Sequence, residues 1–482
     1  MARADFFVGK PSVLSSFLER GEDMPFVASG WVCALAILGV ACLDTTFHTP
    51  PSPNFIVVLT DDQDASLLEA MPKLVDALDR GGVVFTNAFV TSPLCCPSRA
   101  SLLRGQYAHN HGVWTNTPPD GGFPRFKEMG LEESTVATWL HGVGYRTGLI
   151  GKYLNHYAEE HIPTGWDVWY GKFQDGEYYG YVLNENGQPH AYGFGQASYE
   201  ADVLTTLSVE FIVDAARRPS PFFLLVAPYA PHDPAVPAPR HEGAEVSASL
   251  PRPPSFNELD ISDKPRQMQT LPLLTPNEVA ATVTLRIQRA RSLLAVDDMI
   301  EQLLQALDLT GQRAHTYVIV MSDNGYHIGE HRLPAGKSRP FEEDLRVPLV
   351  VIGPGMSGRT QREHLVLNID LAPTIAELAG ARTPTFVDGQ SFSGLLNGSP
   401  IVPPAEFRAA FLFELRSFQG VRTLTAKYVM HGNGEQEWYD LRSDPNELEN
   451  LLHAGDRELP TSLSELLERL RDCAGDACRI SD

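Results

Sequence analysis

The run "NFIVVLT", residues 54–60, is apolar at five consecutive positions between its polar ends. A strand that is apolar on both faces cannot leave either face in water, so it belongs in the middle of a covered sheet. The same kind of run returns as "VVFTNAFV" (83–90), "RTGLIG" (146–151), "PFFLLVAPY" (221–229), "TYVIVMS" (316–322) and "VPLVVIGPG" (347–355). Between these runs lie segments of helical period. They are "MPKLVDALDRGG" (71–82), "ESTVATWLHGVG" (133–144), "ASYEADVLTTLSVEFIVDAARR" (197–218), "NEVAATVTLRIQRARSLLAVDDMIEQLLQAL" (277–307) and "DLAPTIAELAG" (370–380). Pro72 suits a helix start and Gly81 a stop, and Ser134 is the expected N-cap of the second helix. Alternating strands and helices of this kind predict an α/β fold: a large, mostly parallel central sheet with helices on both faces. Such sheets gather their sites at the C-terminal ends of the strands.

Two stretches depart from the alternation. Pro234–Asn277 is rich in proline and polar residues and has no period, which predicts a long functional loop. From about residue 400, "AAFLFEL", "GVRTLTAKYVMHG" and "QEWYDL" read as antiparallel strands, with "GNGE" as a turn. The expected organisation is therefore a leader over residues 1–50, a catalytic α/β domain over 51–400, and a smaller α+β subdomain over 401–482 with antiparallel strands and a terminal helix.

The leader contains "PFVASGWVCALAILGVACL", residues 25–43, followed by a Pro-rich hinge. It reads as a secretory signal, or as a membrane or lipoprotein anchor, and predicts export. Cys473 and Cys478 are spaced for a small disulfide loop, which suits an oxidising compartment; half of a zinc site is the rival. The 38 Lys+Arg against 60 Asp+Glu give a net charge of −22, which opposes binding to nucleic acid or to an anionic membrane.

Three strand ends carry chemistry. The first apolar strand ends in "TDDQD", with Asp61 and Asp62, and "TYVIVMS" runs into "SDNG", with Asp323 and Asn324. Carboxylates and an amide are oxygen donors suited to a hard divalent cation; alone, each pair is equally a helix cap or a turn. Lys152 follows "RTGLIG", His232 lies in "APHDP", His327 in "DNGYHIGEH" and Lys337 in "PAGKSRPFE". Gathered at one sheet edge with Arg99, these cations describe a pocket for a small polyanion. The chemistry expected is metal-assisted attack on a sulfate or phosphate ester.

The segment "SPLCCPSRASLLRG", residues 92–105, places two of the chain's six cysteines side by side. They are either two small buried side chains or one ordinary and one chemically special residue. The order Cys95-Cys96-Pro97-Ser98-Arg99 resembles the signature of the sulfatase family, which has the alkaline-phosphatase-like fold. The resemblance runs from about Asn54 to Leu452, through "SDNGYHIGEH", "VPLVVIGPG", "DLAPTIAELAG" and "KYVMHGNGEQEWYDLRSDPNELENL". With "GKYLNHY" it looks most like the glucosamine-6-sulfatase and arylsulfatase branch.

The resemblance implies a sulfuric ester hydrolase in which Cys95 is oxidised to formylglycine by a formylglycine-generating enzyme. The hydrated aldehyde then offers one hydroxyl to attack sulfur and a second to expel sulfate. It implies Asp61, Asp62, Asp323 and Asn324 as ligands of one divalent cation, together with modified Cys95, with Ca²⁺ preferred and Mg²⁺ the alternative. Arg99 and Lys152 would neutralise charge, and His232 and Lys337 would contact the sulfate, Lys337 near the leaving oxygen. His327 is a further substrate-binding candidate. Where many sulfatases carry a histidine two residues after the lysine, this chain has Leu154, and Asn155 is taken as its substitute. Arg104-Gly105-Gln106 replaces the family's Thr-Gly-basic triplet. The expected substrate is an aryl sulfate or a sulfated sugar such as a 6-O-sulfated glucosamine, with no nucleic acid and no stable protein partner. The rivals are a phosphate or phosphonate ester hydrolase of the same superfamily, a secreted sulfoglycan-binding protein with unmodified Cys95, and a redox protein using the paired thiols.

Overall fold

The structure is a computed structural model that describes residues 52–173, 177–246, 252–396, 401–453 and 457–481. The apolar segment at 25–43 lies outside the described residues. Among those described, no helix is long and apolar enough to cross a membrane. From Ser52 onward the chain forms one compact unit.

Its strands are β1 Asn54–Thr60, β2 Gly81–Phe89, β3 Arg146–Lys152, β4 Val168–Lys172, β5 Val182–Glu185, β6 Gln188–Ala191, β7 Phe222–Ala227, β8 Thr316–Ser322, β9 Leu349–Ile352, β10 Gly358–Leu367, β11 Ala410–Leu415, β12 Phe418–Thr423, β13 Ala426–His431 and β14 Gln436–Asp440. The helices used below are α1 Pro72–Arg80, α2 Cys95–Arg104, α3 Val136–Gly142, α4 Glu200–Ala215, α5 Pro276–Leu309, α6 Leu371–Ala379 and α7 Thr461–Leu470.

The first ten strands form one sheet in the order β10-β2-β9-β8-β1-β7-β3-β4-β5-β6. The sheet is mixed: β9 is antiparallel to both β2 and β8, and β5 to β4 and β6, while the remaining pairs are parallel. The near-continuous apolarity of β1 has a direct structural counterpart. Phe55, Val57 and Leu59 pack into one apolar layer with residues of α2, α3 and α6, and Ile56 and Val58 pack into the opposite layer with α1, α4 and α5. Because successive side chains point to opposite faces, a strand covered on both sides must be apolar at every interior position.

β11–β14 form a separate antiparallel sheet. Phe411, Phe413 and Val421 of that sheet share an apolar cluster with Phe89, Leu365 and Leu367 of the large sheet and with Leu463, Leu467 and Leu470 of α7. Cys473 and Cys478 are joined as a disulfide with Cα atoms 5.1 Å apart.

Three expectations need amendment. Ser134 does not cap α3. Thr135 is the residue before the helix, the Thr138 hydroxyl accepts from its N–H at 2.9 Å, and the Ser134 hydroxyl instead accepts from the Trp139 indole N–H at 2.9 Å. Strands β4–β6 and β10 carried no continuous apolar run. β6 is exposed throughout and β10 is exposed over much of its first half, as edge strands of a sheet can be. The long irregular stretch ends at Thr275, whose hydroxyl caps α5 by accepting from Glu278 N–H at 3.3 Å.

Candidate active site

The ends of β1, β7, β3 and β8, four neighbours in the sheet, converge on one buried group of charges. Asp61 and Asp62 follow β1 directly and are 0% and 1% exposed. Asp323 and Asn324 follow β8 and are equally buried. Asp62 N–H donates to Asp323 Oδ1 at 3.0 Å, and Asn324 Nδ2 donates to Asp62 Oδ1 at 2.8 Å. The parallel register pairing Thr60 with Ser322 brings the two acidic turns side by side.

Cys95 opens α2 with its thiol inside this group, Sγ 3.5 Å from Asp61 Oδ1 and 3.7 Å from Asp62 Oδ1. Asp61, Asp62, Cys95 and His232 each offer an atom within 4.8 Å of the others. No side chain caps the start of α2 from Leu94; instead Asn116 Oδ1 accepts from Cys96 N–H at 2.8 Å. One turn into the helix, Arg99 donates through Nε to Asp323 Oδ2 at 2.7 Å and through Nη1 to the Lys152 carbonyl at 2.8 Å, with Nη2 3.6 Å from Asp61. The helical period thus aims Cys95 and Arg99, four residues apart, at the same acidic group, with Asp61 common to both. Lys152 at the end of β3 is paired with Asp61, and Lys337 with Asp62. Lys337 Nζ also donates to Cys95 Sγ at 2.8 Å. His232 Nε2 lies 3.5 Å from Asp62 Oδ2, while its Nδ1 meets the Asp233 carbonyl at 2.8 Å.

The electrostatics follow from the packing. Burial alone would raise the Asp61 carboxyl, but Lys152, His232, Arg99 and Lys337 outweigh it and hold Asp61 well below the usual range. Asp62 is lowered in the same way, chiefly by Lys337 and His232 against its burial. Asp323 moves up, because burial and the neighbouring Asp61 exceed the help of Arg99. Burial pushes the Cys95 thiol up to about 12 despite Lys152 and Lys337. An unmodified Cys95 is therefore a neutral thiol at neutral pH, the reverse of a lowered, nucleophilic cysteine. Cys96, also raised to about 12 by burial, packs in the apolar layer with Ala100 and Leu103. These values oppose a redox role for the pair.

The donor set suits a hard cation. Every protein donor except Cys95 and His232 is a carboxylate or amide oxygen, and Asn324 Oδ1 is buried with no hydrogen-bond partner. A buried carbonyl oxygen without a donor is costly unless something else satisfies it.

Two candidates lie differently. His327 is buried with Nδ1 on Asp344 Oδ1 at 2.7 Å, and its main chain pairs in both directions with Gly336, at 2.9 and 3.0 Å. It braces the Lys337 turn rather than joining the acidic group. Asn155 is half-buried; its carbonyl accepts from Phe123 N–H at 2.7 Å, and its Oδ1 is buried without a partner. Arg104 and Gln106 hydrogen-bond each other at 2.7 Å, Arg104 also reaching the carbonyls of Leu131 and Ser134 at 3.1 and 2.7 Å. The departure from the triplet is a matched pair inside the fold. Sequence reasoning missed Arg289 and Asn116. Arg289 is a basic residue within the helical run "LRIQRARSLLAV", and its burial carries no sequence signature beyond that.

The chain resembles known proteins over most of its described length. The sulfatase family pattern matches residues 53–381, and that of the C-terminal part of N-sulphoglucosamine sulphohydrolase matches residues 329–473. N-acetylglucosamine-6-sulfatase of Homo sapiens is 33% identical over 474 residues, 89% of this chain and 86% of that protein. The extracellular sulfatase SULF-1 homolog of Drosophila melanogaster is 38% identical over 349 residues, 71% of this chain but only 31% of that longer protein. Among solved structures, BT4656 in complex with its substrate D-glucosamine-2-N,6-O-disulfate superposes with a TM-score of 0.72 at 24% identity, covering 86% of this chain and 97% of that one. At that identity the likeness speaks for the fold.

Proposed function

We propose that this chain, which belongs to the sulfatase family and is a sulfuric ester hydrolase, releases the 6-O-sulfate of a glucosamine-type sugar using a formylglycine made from Cys95 and one divalent cation. The observation that carries this reading is the placement of Cys95 Sγ within 3.7 Å of both Asp61 and Asp62 and 2.8 Å from Lys337 Nζ. Burial pushes that thiol up to about 12, which disfavours the thiolate as the nucleophile.

Asp61, Asp62, Asp323 and Asn324 would hold the cation, with the modified Cys95 side chain completing the set. When bound, the cation supplies positive charge that polarises a sulfate oxygen. The formylglycine, as a hydrated aldehyde, would supply one hydroxyl as nucleophile and a second able to expel sulfate, a pair that neither cysteine nor serine offers. All other work falls to ordinary side chains. Arg99 fixes Asp323 and, with Lys152, favours the ionised form of Asp61. His232, 27% exposed on its side chain and facing Asp62, would meet the substrate's sulfate. Lys337 is held as a cation because its carboxylate neighbours, Asp62 foremost, outweigh its burial. It would donate a hydrogen bond to the oxygen on which charge develops as the S–O bond breaks. An all-oxygen set of several protein ligands favours Ca²⁺ over Mg²⁺, which keeps more of its waters.

The substrate class rests on the names of the relatives; aryl sulfates are expected to serve as artificial substrates. Export rests on the apolar segment 25–43 and on the extracellular designation of the fly relative. Maturation needs a formylglycine-generating enzyme as a transient partner. The test is sulfate release from glucosamine 6-sulfate, compared with a nitrophenyl sulfate and a nitrophenyl phosphate. Preferred turnover of the phosphate ester would move the assignment to the phosphoesterase side of the superfamily.

A further inference from the structure

We infer that Arg289, on α5 and outside every motif of the site, is a positioning residue that sets the cation ligand Asp62 and the sulfate-facing His232 together. The inference rests on the reading of Asp62 as a ligand.

Arg289 is 0% exposed, yet among the described residues it forms no ion pair. Its guanidinium reaches two main-chain carbonyls instead. Nη2 donates to the carbonyl oxygen of Asp62, and Nη1 to that of Pro231 at 3.1 Å. Pro231 immediately precedes His232. The loops after β1 and β7 are also tied by Asp61 N–H to the Ala230 carbonyl at 3.3 Å. Arg289 therefore clamps the same two loops from below, one carbonyl on each. The planar fork of a guanidinium spans two acceptors at fixed separation, which an ammonium cannot do.

The clamp matters most at Asp62. Its φ is +70°, in the left-handed region that a non-glycine residue enters at a cost and keeps only where the surroundings impose it. The carbonyl held by Arg289 fixes that peptide and so the direction of the carboxylate. The third strand-end loop joins through Tyr326, two residues after Asn324. The Arg289 guanidinium lies 4.0 Å over the Tyr326 ring, and the Tyr326 hydroxyl donates to Asp233 Oδ2 at 2.5 Å. His232 is further pinned by Tyr178, whose hydroxyl donates to its carbonyl at 2.6 Å. Loops from β1, β7 and β8 thus share one buried cation as their keystone.

Electrostatics and geometry make opposite forecasts here. Arg289 is a positive charge behind a cation site, so deleting it should tighten cation binding if charge were all that mattered. If its role is to hold Asp62 and His232, deletion should loosen both the cation and the sulfate. The experiment is calorimetric titration of Ca²⁺ alone into metal-stripped full-length wild type, Arg289→Met and Arg289→Lys, followed by steady-state kinetics on nitrophenyl sulfate at saturating Ca²⁺.

The clamp predicts a Ca²⁺ affinity about 10- to 100-fold weaker in Arg289→Met, the range for losing a group that orients a metal ligand. It also predicts a raised KM with a smaller change in kcat, since His232 meets the ground-state sulfate. Arg289→Lys keeps the charge but cannot grip both carbonyls, and is expected to fall between the two. Affinity equal to or tighter than wild type in folded Arg289→Met overturns the inference. Should that variant fail to fold, unchanged affinity in Arg289→Lys overturns it equally. A wild type that binds neither Ca²⁺ nor Mg²⁺ removes the cation reading and this inference together, whereas a binding wild type with equally binding variants removes the inference alone.

Discussion

Lys337 Nζ lies 2.8 Å from Cys95 Sγ, and 242 positions of chain separate the two residues. The contact is built by the fold rather than by a local motif. Cys95 arrives on the first turn of α2, while Lys337 is carried by a turn whose two sides are braced by one buried carboxylate. Asp344 accepts from His327 through Oδ1 and from Arg339 N–H through Oδ2, both at 2.7 Å, and His327 pairs with Gly336 next to Lys337.

The position of Lys337 predicts a dependence on the leaving group. A donor at the departing oxygen is worth more when that oxygen is more basic, because more charge must be stabilised in the transition state. Lys337→Ala should lower kcat on a sugar sulfate by about 10²- to 10⁴-fold and on a nitrophenyl sulfate by clearly less. Equal penalties on the two substrates would leave Lys337 as a sulfate-binding residue only.

Removing divalent cations with a strong chelator should abolish activity, and Ca²⁺ should restore it better than Zn²⁺, because oxygen donors suit hard ions. Elemental analysis of the purified protein checks this independently of turnover. Zinc without calcium or magnesium would contradict the ligand set.

A stability prediction concerns the joint between the two sheets. Arg408 and Asp370 form a buried two-point pair, 2.8 Å between Arg408 Nη2 and Asp370 Oδ1, with Arg408 Nη1 also donating to the Leu365 carbonyl at 3.1 Å. Asp370 additionally accepts from Leu367 N–H at 2.7 Å and Gln390 N–H at 2.8 Å. Asp370→Ala leaves a buried guanidinium uncompensated and should cost about 3–5 kcal/mol in denaturant unfolding. A loss below about 1 kcal/mol, the range of exposed pairs, would show that the pair is solvated in solution.

Arg104 and Gln106 should behave as a unit. A double-mutant cycle with Arg104→Ala and Gln106→Ala should give a coupling of about 0.5–3 kcal/mol, as expected of contacting residues. Additive losses would mean that the two departures from the triplet are unrelated.

The buried centre of the sheet was legible because burial on both faces leaves an unbroken apolar run, as in β1, β7 and β8. Its edges were not. Gln188–Ala191 is exposed at every position, so it carries no pattern that separates a strand from a loop. Within the candidate site, the acidic pairs were readable as oxygen-bearing turns after apolar strands, and Cys95 and Arg99 from the likeness of Cys95-Cys96-Pro97-Ser98-Arg99 to the sulfatase signature. Asn116 and Arg289 were not, because each acts on a main-chain group, Asn116 on Cys96 N–H and Arg289 on the Asp62 and Pro231 carbonyls. Main-chain partners leave no trace in side-chain patterns. His327 was legible as a conspicuous histidine near the acidic pair, but its Nδ1 is committed to Asp344, which places it behind Lys337.

Cys95 is read as the formylglycine that performs the reaction, and mass spectrometry of the peptide spanning Cys95 and Cys96 decides whether it is. The measurement should be made on protein co-produced with a formylglycine-generating enzyme and shown to release sulfate. The expected result is the aldehyde at position 95, an ordinary thiol at position 96, and turnover that scales across preparations with the modified fraction. An active preparation in which Cys95 is wholly unmodified would contradict it.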